Sequence, residues 1–234
     1  MSLRAAAGAA RVVSAGLLAL AGCTSVPHQP ALPQGTVPTR PSETPAPQSP
    51  AQLLQQVQDL STRIQAEKDA AARYRLIGQA LYWTASCDTR WPGDGTCPYA
   101  TGLIQGLTAR ENPARAVPIL RNMLANLARA QSLAPAIDHA GPERLTAIVL
   151  LRAPGWPLGP GDPDAALAAA QRAVALDAGY PPNLITLGQA QAATGDAAAA
   201  HRTFGQALEA AQAAAAGPDR DGWIRDARQG LKAG

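Results

Sequence analysis

Aromatic side chains are scarce in this chain: they make up 4% of its 234 residues and include a single phenylalanine. Charged residues are few as well, at 16%, and only two lysines occur, Lys68 and Lys232. The shortage of large side chains excludes a core of the strand-forming kind, which β-branched and aromatic residues dominate. No run of Lys and Arg builds the basic stripe that nucleic-acid binding requires. The formal charge of +3 does not restore one, because Arg4 and Arg11 lie in a segment expected to be removed. Without them the 20 basic residues fall to 18, against 17 acidic ones.

Catalytic patterns are missing too. There is no Gly-x-Ser-x-Gly elbow, no Walker loop and no metal-type histidine cluster; His28, His139 and His201 stand apart. Gly155 to Gly161 is glycine-rich ahead of a helix start, but no lysine follows it. Asp162 and Asp164 would repel a phosphate there. No pair of carboxylates has a spacing suited to acid–base work. A non-enzymatic protein without metal or cofactor is expected.

What is present is alanine, 53 residues of it. Alanine has the best helix propensity but little surface to bury. An all-α fold of closely approaching helices follows.

The first 22 residues place Arg4 and Arg11 ahead of the apolar stretch Val12–Leu20. They form the charged and apolar regions of an export signal, too short to span a bilayer. The stretch ends in Leu20-Ala21-Gly22-Cys23, which resembles the lipobox of bacterial lipoproteins. That resemblance implies lipidation at Cys23. Thr24 follows in place of the aspartate that signals inner-membrane retention, so an outer-membrane anchor facing the periplasm is expected. Residues 23–49 form a Pro-rich tether; with too little apolar surface to fold, it extends at about 3.1 Å per residue, at most roughly 80 Å. The remaining residues, 50–234, form the folded domain.

Cys87 and Cys97 flank a Gly/Pro-containing loop, and in an oxidising compartment such a pair forms a disulfide. Ser49-Pro50-Ala51-Gln52 supplies a helix cap. Leu53, Val57, Leu60 and Ile64 then recur as an amphipathic stripe. One long helix or two stacked ones fit the stretch from 51 to 77. Asn112-Pro113, Gly141-Pro142 and Asp162-Pro163 open further helices. Pro118 is expected to bend the first of these.

An internal repeat then emerges. Gly161-Asp162, Ala166 and Ala173 recur 34 residues later as Gly195-Asp196, Ala200 and Ala207, the period of tetratricopeptide hairpins. Leu184, Leu187-Gly188, Phe204 and Ala207 stand at that family's signature positions, with Leu184 replacing the usual tryptophan and Gln191 the usual tyrosine. Residues 112–215 thus read as degenerate tetratricopeptide-like hairpins in an α-solenoid. By repeat register Ile185, Gln189 and Ala192 face the concavity, where solenoids bind partners. Trp156, in the Gly/Pro loop 153–161, is the tryptophan best placed for interaction; Trp83, Trp91 and Trp223 read as packing residues.

That inserted loop, the Ala-rich helix after it and Pro181-Pro182-Asn183-Leu184 resemble the T-component lipoproteins of TRAP-type transporters over roughly residues 70–230. The resemblance implies a homo-oligomer associated with a periplasmic solute-binding protein. The Cys87–Cys97 loop departs from that pattern. The function expected is a protein-binding scaffold; the alternative is a helical module that itself holds a small solute or forms a pore.

Overall fold

The computed structural model describes residues 45–233. The export signal, Cys23 and most of the tether lie outside the described residues. Within them the chain is an all-α stack of helix hairpins, and no strand forms.

Two helices, not one, fill the first stretch: α1 (Pro50–Ala66) and α2 (Ala70–Ala85). Ser49 caps α1 by accepting from the Gln52 amide at 3.2 Å, while the Gln52 side chain accepts from the Gln48 amide. The break falls at Glu67-Lys68-Asp69, where Asp69 caps α2 through the Ala72 amide. The predicted stripe Leu53, Val57, Leu60 and Ile64 is buried with Ile77 and Trp83.

A short turn, α3 (Cys87–Arg90), leads into α4 (Thr96–Glu111), and the Cys87–Cys97 disulfide ties the two. Both cysteines are 1% exposed, and Trp91 packs against their cluster. Reducing this bond releases a closed loop whose chain entropy is worth about 2–3 kcal/mol. For a domain of this size that is a fall of roughly 5–10 °C in thermal midpoint. Circular dichroism melts with and without dithiothreitol check it; equal midpoints would remove the disulfide from the account of stability.

Helix α4 was not legible in the sequence. It carries Pro98, Gly102 and Gly106, which weaken propensity and periodicity alike. Packing decides it instead: Tyr99, Ala100 and Ile104 are all fully buried, and a Cβ on Gly102 would meet Leu127 at 3.1 Å. The hairpin partner of α5 (Ala116–Leu133) is therefore α4, and the stack begins upstream of residue 112. Asn112 is followed by a 3-10 turn at Pro113–Arg115. Pro118 sits in the first turn of α5, where a missing amide removes no intrahelical bond, so the expected bend does not arise.

The second hairpin is α6 (Ile137–Arg152) and α7 (Pro163–Leu176), joined by the Gly/Pro loop. The third is α8 (Pro181–Ala193) and α9 (Ala197–Ala213), closed by α10 (Pro218–Ala233). The 34-residue recurrence has a physical counterpart here. Asp162 accepts from Ala165 and Asp196 from Ala199, each capping its helix three residues in. Ala166, Ala173, Ala200 and Ala207 are all buried. Gly195 turns the chain between α8 and α9 with a φ of 88°, the left-handed region that glycine enters without strain. The single phenylalanine, Phe204, lies between Gly188 on α8 and Gly230 on α10.

The helices α4, α6, α8 and α10 each pack on the next, more closely than the second helices α5, α7 and α9 do. The stack therefore closes on the side of the first helices.

Candidate functional site

The structure gathers polar groups along the N-terminal ends of that inner row. Three residues before the regular part of α6, Asp138, His139 and Ala140, have φ of 50°, 55° and 59°. Non-glycine residues avoid this left-handed region, at a cost of roughly 1–2 kcal/mol each. What holds them there is Arg144, one turn into α6. Its guanidinium donates to the Asp138 carbonyl at 3.0 Å, the His139 carbonyl at 2.8 Å, the Asn183 Oδ1 at 3.0 Å and the Asp138 carboxylate at 2.8 Å. The Arg144 side chain is 8% exposed and the Asp138 side chain 19%.

Neighbouring helices complete the cluster. Tyr99 on α4 donates its hydroxyl to Asp138 Oδ2, and Gln58 on α1 donates to Oδ1 at 3.1 Å. From α8, Asn183 donates through Nδ2 to the carbonyls of His139, Ala173 and Asp177. His139 Nδ1 lies 2.8 Å from Asp177 Oδ2, and its ring stacks on Tyr180 at 4.2 Å. Tyr180 meets Trp223 of α10 edge-on at 5.5 Å and takes the Arg144 guanidinium over its face. The cluster thus spans α1, α4, α6, α8 and α10. A second buried charge, Glu143 at 2% exposure, is held by Arg172 of α7 at 2.6 Å and by Gln131 of α5.

Burial pushes the Tyr99 hydroxyl pKa far above its usual value, and the neighbouring Asp138 carboxylate adds to the effect. Tyr180 is also pushed up, chiefly by burial. Each folded-state pKa lies above the unfolded one, so the folded chain keeps a proton that the unfolded chain releases. The resulting stability is fully present below about pH 10 and declines above it, by about 1.4 kcal/mol per pH unit for Tyr99, with Tyr180 acting in the same direction. The urea midpoint is expected to fall steeply above about pH 10. Tyr99→Phe should flatten that fall; an unchanged alkaline slope in this variant would place the titration elsewhere.

Sequence reasoning missed this cluster because its hydrogen-bonded partners lie up to 80 residues apart and share no periodicity. The one signal was Glu143-Arg144, two charges heading an otherwise apolar helix. Among the described residues no three His, Cys, Asp or Glu side chains converge as a metal site would require.

The residues singled out for binding are scattered. Ile185 is 7% exposed and belongs to the core around Phe204, so it offers no surface where the repeat register put it. The reason is that α8 is enclosed by α6, α7, α9 and α10. Gln189 is half-buried and Ala192 exposed. Trp156 projects from the α6–α7 loop at 89% exposure, with Leu158 beside it at 75%. A shallow depression of about 460 Å³ lies along α10, lined by Asp221, Ile224, Arg225, Arg228, Gln229 and Lys232. No helix among the described residues is long and apolar enough to cross a membrane.

No protein-family model matches this chain, and no curated protein matches it in sequence.

Proposed function

We propose that this chain is a lipid-anchored periplasmic scaffold, held to the outer membrane through Cys23, whose tetratricopeptide-like hairpins bind a protein partner. The observation that carries the reading is the inner row of helices, cross-tied by a polar cluster whose members bond mainly to one another. Such cross-bracing holds the hairpins in register rather than exposing a reactive group, and solenoids bind partners along the concave side that stacked hairpins create. Groups already paired inside a cluster have little left to offer a substrate, which favours a non-enzymatic role without metal or cofactor. The resemblance to TRAP T-components makes a solute-binding protein the first partner to test, with self-association of the scaffold.

Fractionation of cells expressing the full chain tests the anchor. The native protein is expected with the outer membrane, and Cys23→Ser in the soluble fraction; a native protein recovered as soluble would contradict it. Co-purification from detergent-solubilised membranes tests the transporter assignment. A TRAP solute-binding protein retained at a fixed ratio supports it, whereas a stable complex with envelope-assembly proteins keeps the scaffold and discards the transporter.

A further inference from the structure

We propose that the loop between α6 and α7 is a lipid-docking foot that seats Trp156 and Leu158 in the interface of a phospholipid bilayer. The inference rests on the anchoring reading above, which keeps the domain within tether length of a membrane surface.

Among the described residues, Trp156 and Leu158 are the most exposed large apolar side chains, and they stand two residues apart at one tip. The tip is built, not slack. Gly161 donates to the Pro154 carbonyl at 2.8 Å, and Leu158 and Gly159 both donate to the Gly155 carbonyl at 3.0 Å. The neck is closed by backbone pairing of Gly155 with Gly161. A Cβ on Gly159 would sit 2.5 Å from the Pro154 carbonyl oxygen, and one on Gly161 would clash with the carbonyl of Ala153. The two apolar side chains are thus held outward on a loop that has little freedom left to lose on binding.

Three features select a lipid surface over a protein groove. First, residues 153–161 contain no charge. Second, Pro154, Pro157 and Pro160 have no amide hydrogen, and Leu158, Gly159 and Gly161 already donate inside the loop. A loop in which most backbone donors are absent or internally paired suits a poorly hydrating medium. Third, the Trp156 indole N–H is the sole side-chain hydrogen-bonding group in this stretch. A specific protein interface carries about one hydrogen bond per 100–200 Å², and the side chains of this tip offer a single donor. Tryptophan's apolar ring with one polar edge suits the headgroup level. Two side chains alone would bind a bilayer weakly, but a tether raises the effective concentration of the surface enough for weak contacts to persist.

The test uses the full-length lipidated chain reconstituted in phosphatidylethanolamine–phosphatidylglycerol vesicles. Leu158→Cys carries an environment-sensitive fluorophore, and Glu209→Cys, exposed on α9, carries the same label as control. The label at 158 is expected to shift to the blue and to be quenched severalfold by brominated acyl chains, with no change on adding salt or more phosphatidylglycerol. The Glu209 label should stay aqueous. Adding Trp156→Ser should reduce quenching at 158 towards the control. A 158 label as open to aqueous iodide as the control overturns the foot, as does shielding that appears only when periplasmic proteins are added. Vesicle flotation reads the anchor separately. Floating chains with an aqueous label remove the foot and leave the anchor, whereas chains that fail to float remove both.

Discussion

Replacing Arg144 by methionine is expected to lower stability by about 3–5 kcal/mol, the cost of removing the buried cation from an ion pair whose carboxylate is itself half-buried. For a domain of this size that is roughly 10 °C or more of thermal midpoint. The loss is large because the guanidinium has several tasks that an apolar side chain cannot take over. It neutralises the Asp138 carboxylate, satisfies the carbonyls of two left-handed residues, and bonds Asn183 of the next hairpin. Without it the half-buried carboxylate keeps Tyr99 and Gln58 but no cation at this distance. Arg144→Lys separates charge from geometry. Lysine restores a cation but not the planar fork that reaches carbonyl, carboxylate and amide at once, so it should recover only part of the loss. Thermal melts of both variants read this directly. A methionine variant within about 1 kcal/mol of the native chain would mean that the left-handed turn is stable without its guanidinium.

The second large effect is expected at Phe204. Its ring is packed between two glycines on different helices, Gly188 of α8 and Gly230 of α10, and it shares a cluster with Leu184, Ile185 and Ala227. Phe204→Ala should cost about 3–5 kcal/mol through lost burial and the cavity left behind. The glycines are the complementary half of the same contact. A Cβ on Gly230 would lie within clash distance of the Phe204 ring, so Gly230→Ala should destabilise by about 1–3 kcal/mol despite the better helix propensity of alanine. Gly205, one residue along from Phe204, has nothing near its Cβ position. There the same substitution should stabilise, by roughly 0.5–1 kcal/mol. Denaturant titrations of the three variants separate the two mechanisms. Equal effects at Gly230 and Gly205 would show that propensity, not packing against Phe204, governs this end of the stack.

The contrast between these sites shows what sequence could and could not carry. Leu53, Val57, Leu60 and Ile64 were legible because a helix stripe repeats at its own period. The caps at Ser49 and Asp162 were legible because capping is local, acting across three residues. The 34-residue recurrence of Asp162, Ala166 and Ala173 was legible because successive hairpins pose the same packing problem. Helix α4 was not, since its helicity comes from burial of Tyr99 and Ile104 among distant residues rather than from its own composition. The cluster at Asp138 was least legible of all. It depends on a turn that local preference opposes, stabilised by side chains from helices far apart in the chain. Trp156 lay in between: its loop could be seen, but the backbone bonds that hold it outward could not.

A hairpin stack that serves as a surface for another protein can be caught in the act by crosslinking in cells. With Lys68 and Lys232 as the only lysines, amine-reactive reagents reach too little of the domain, so a photoreactive residue is placed at Gln189 in the full-length lipidated chain at native expression. A discrete crosslinked species is expected, which mass spectrometry resolves into this chain and one periplasmic protein or a second copy of itself. Irradiated cells that yield only the uncrosslinked chain at this position and at Ala192 would contradict it.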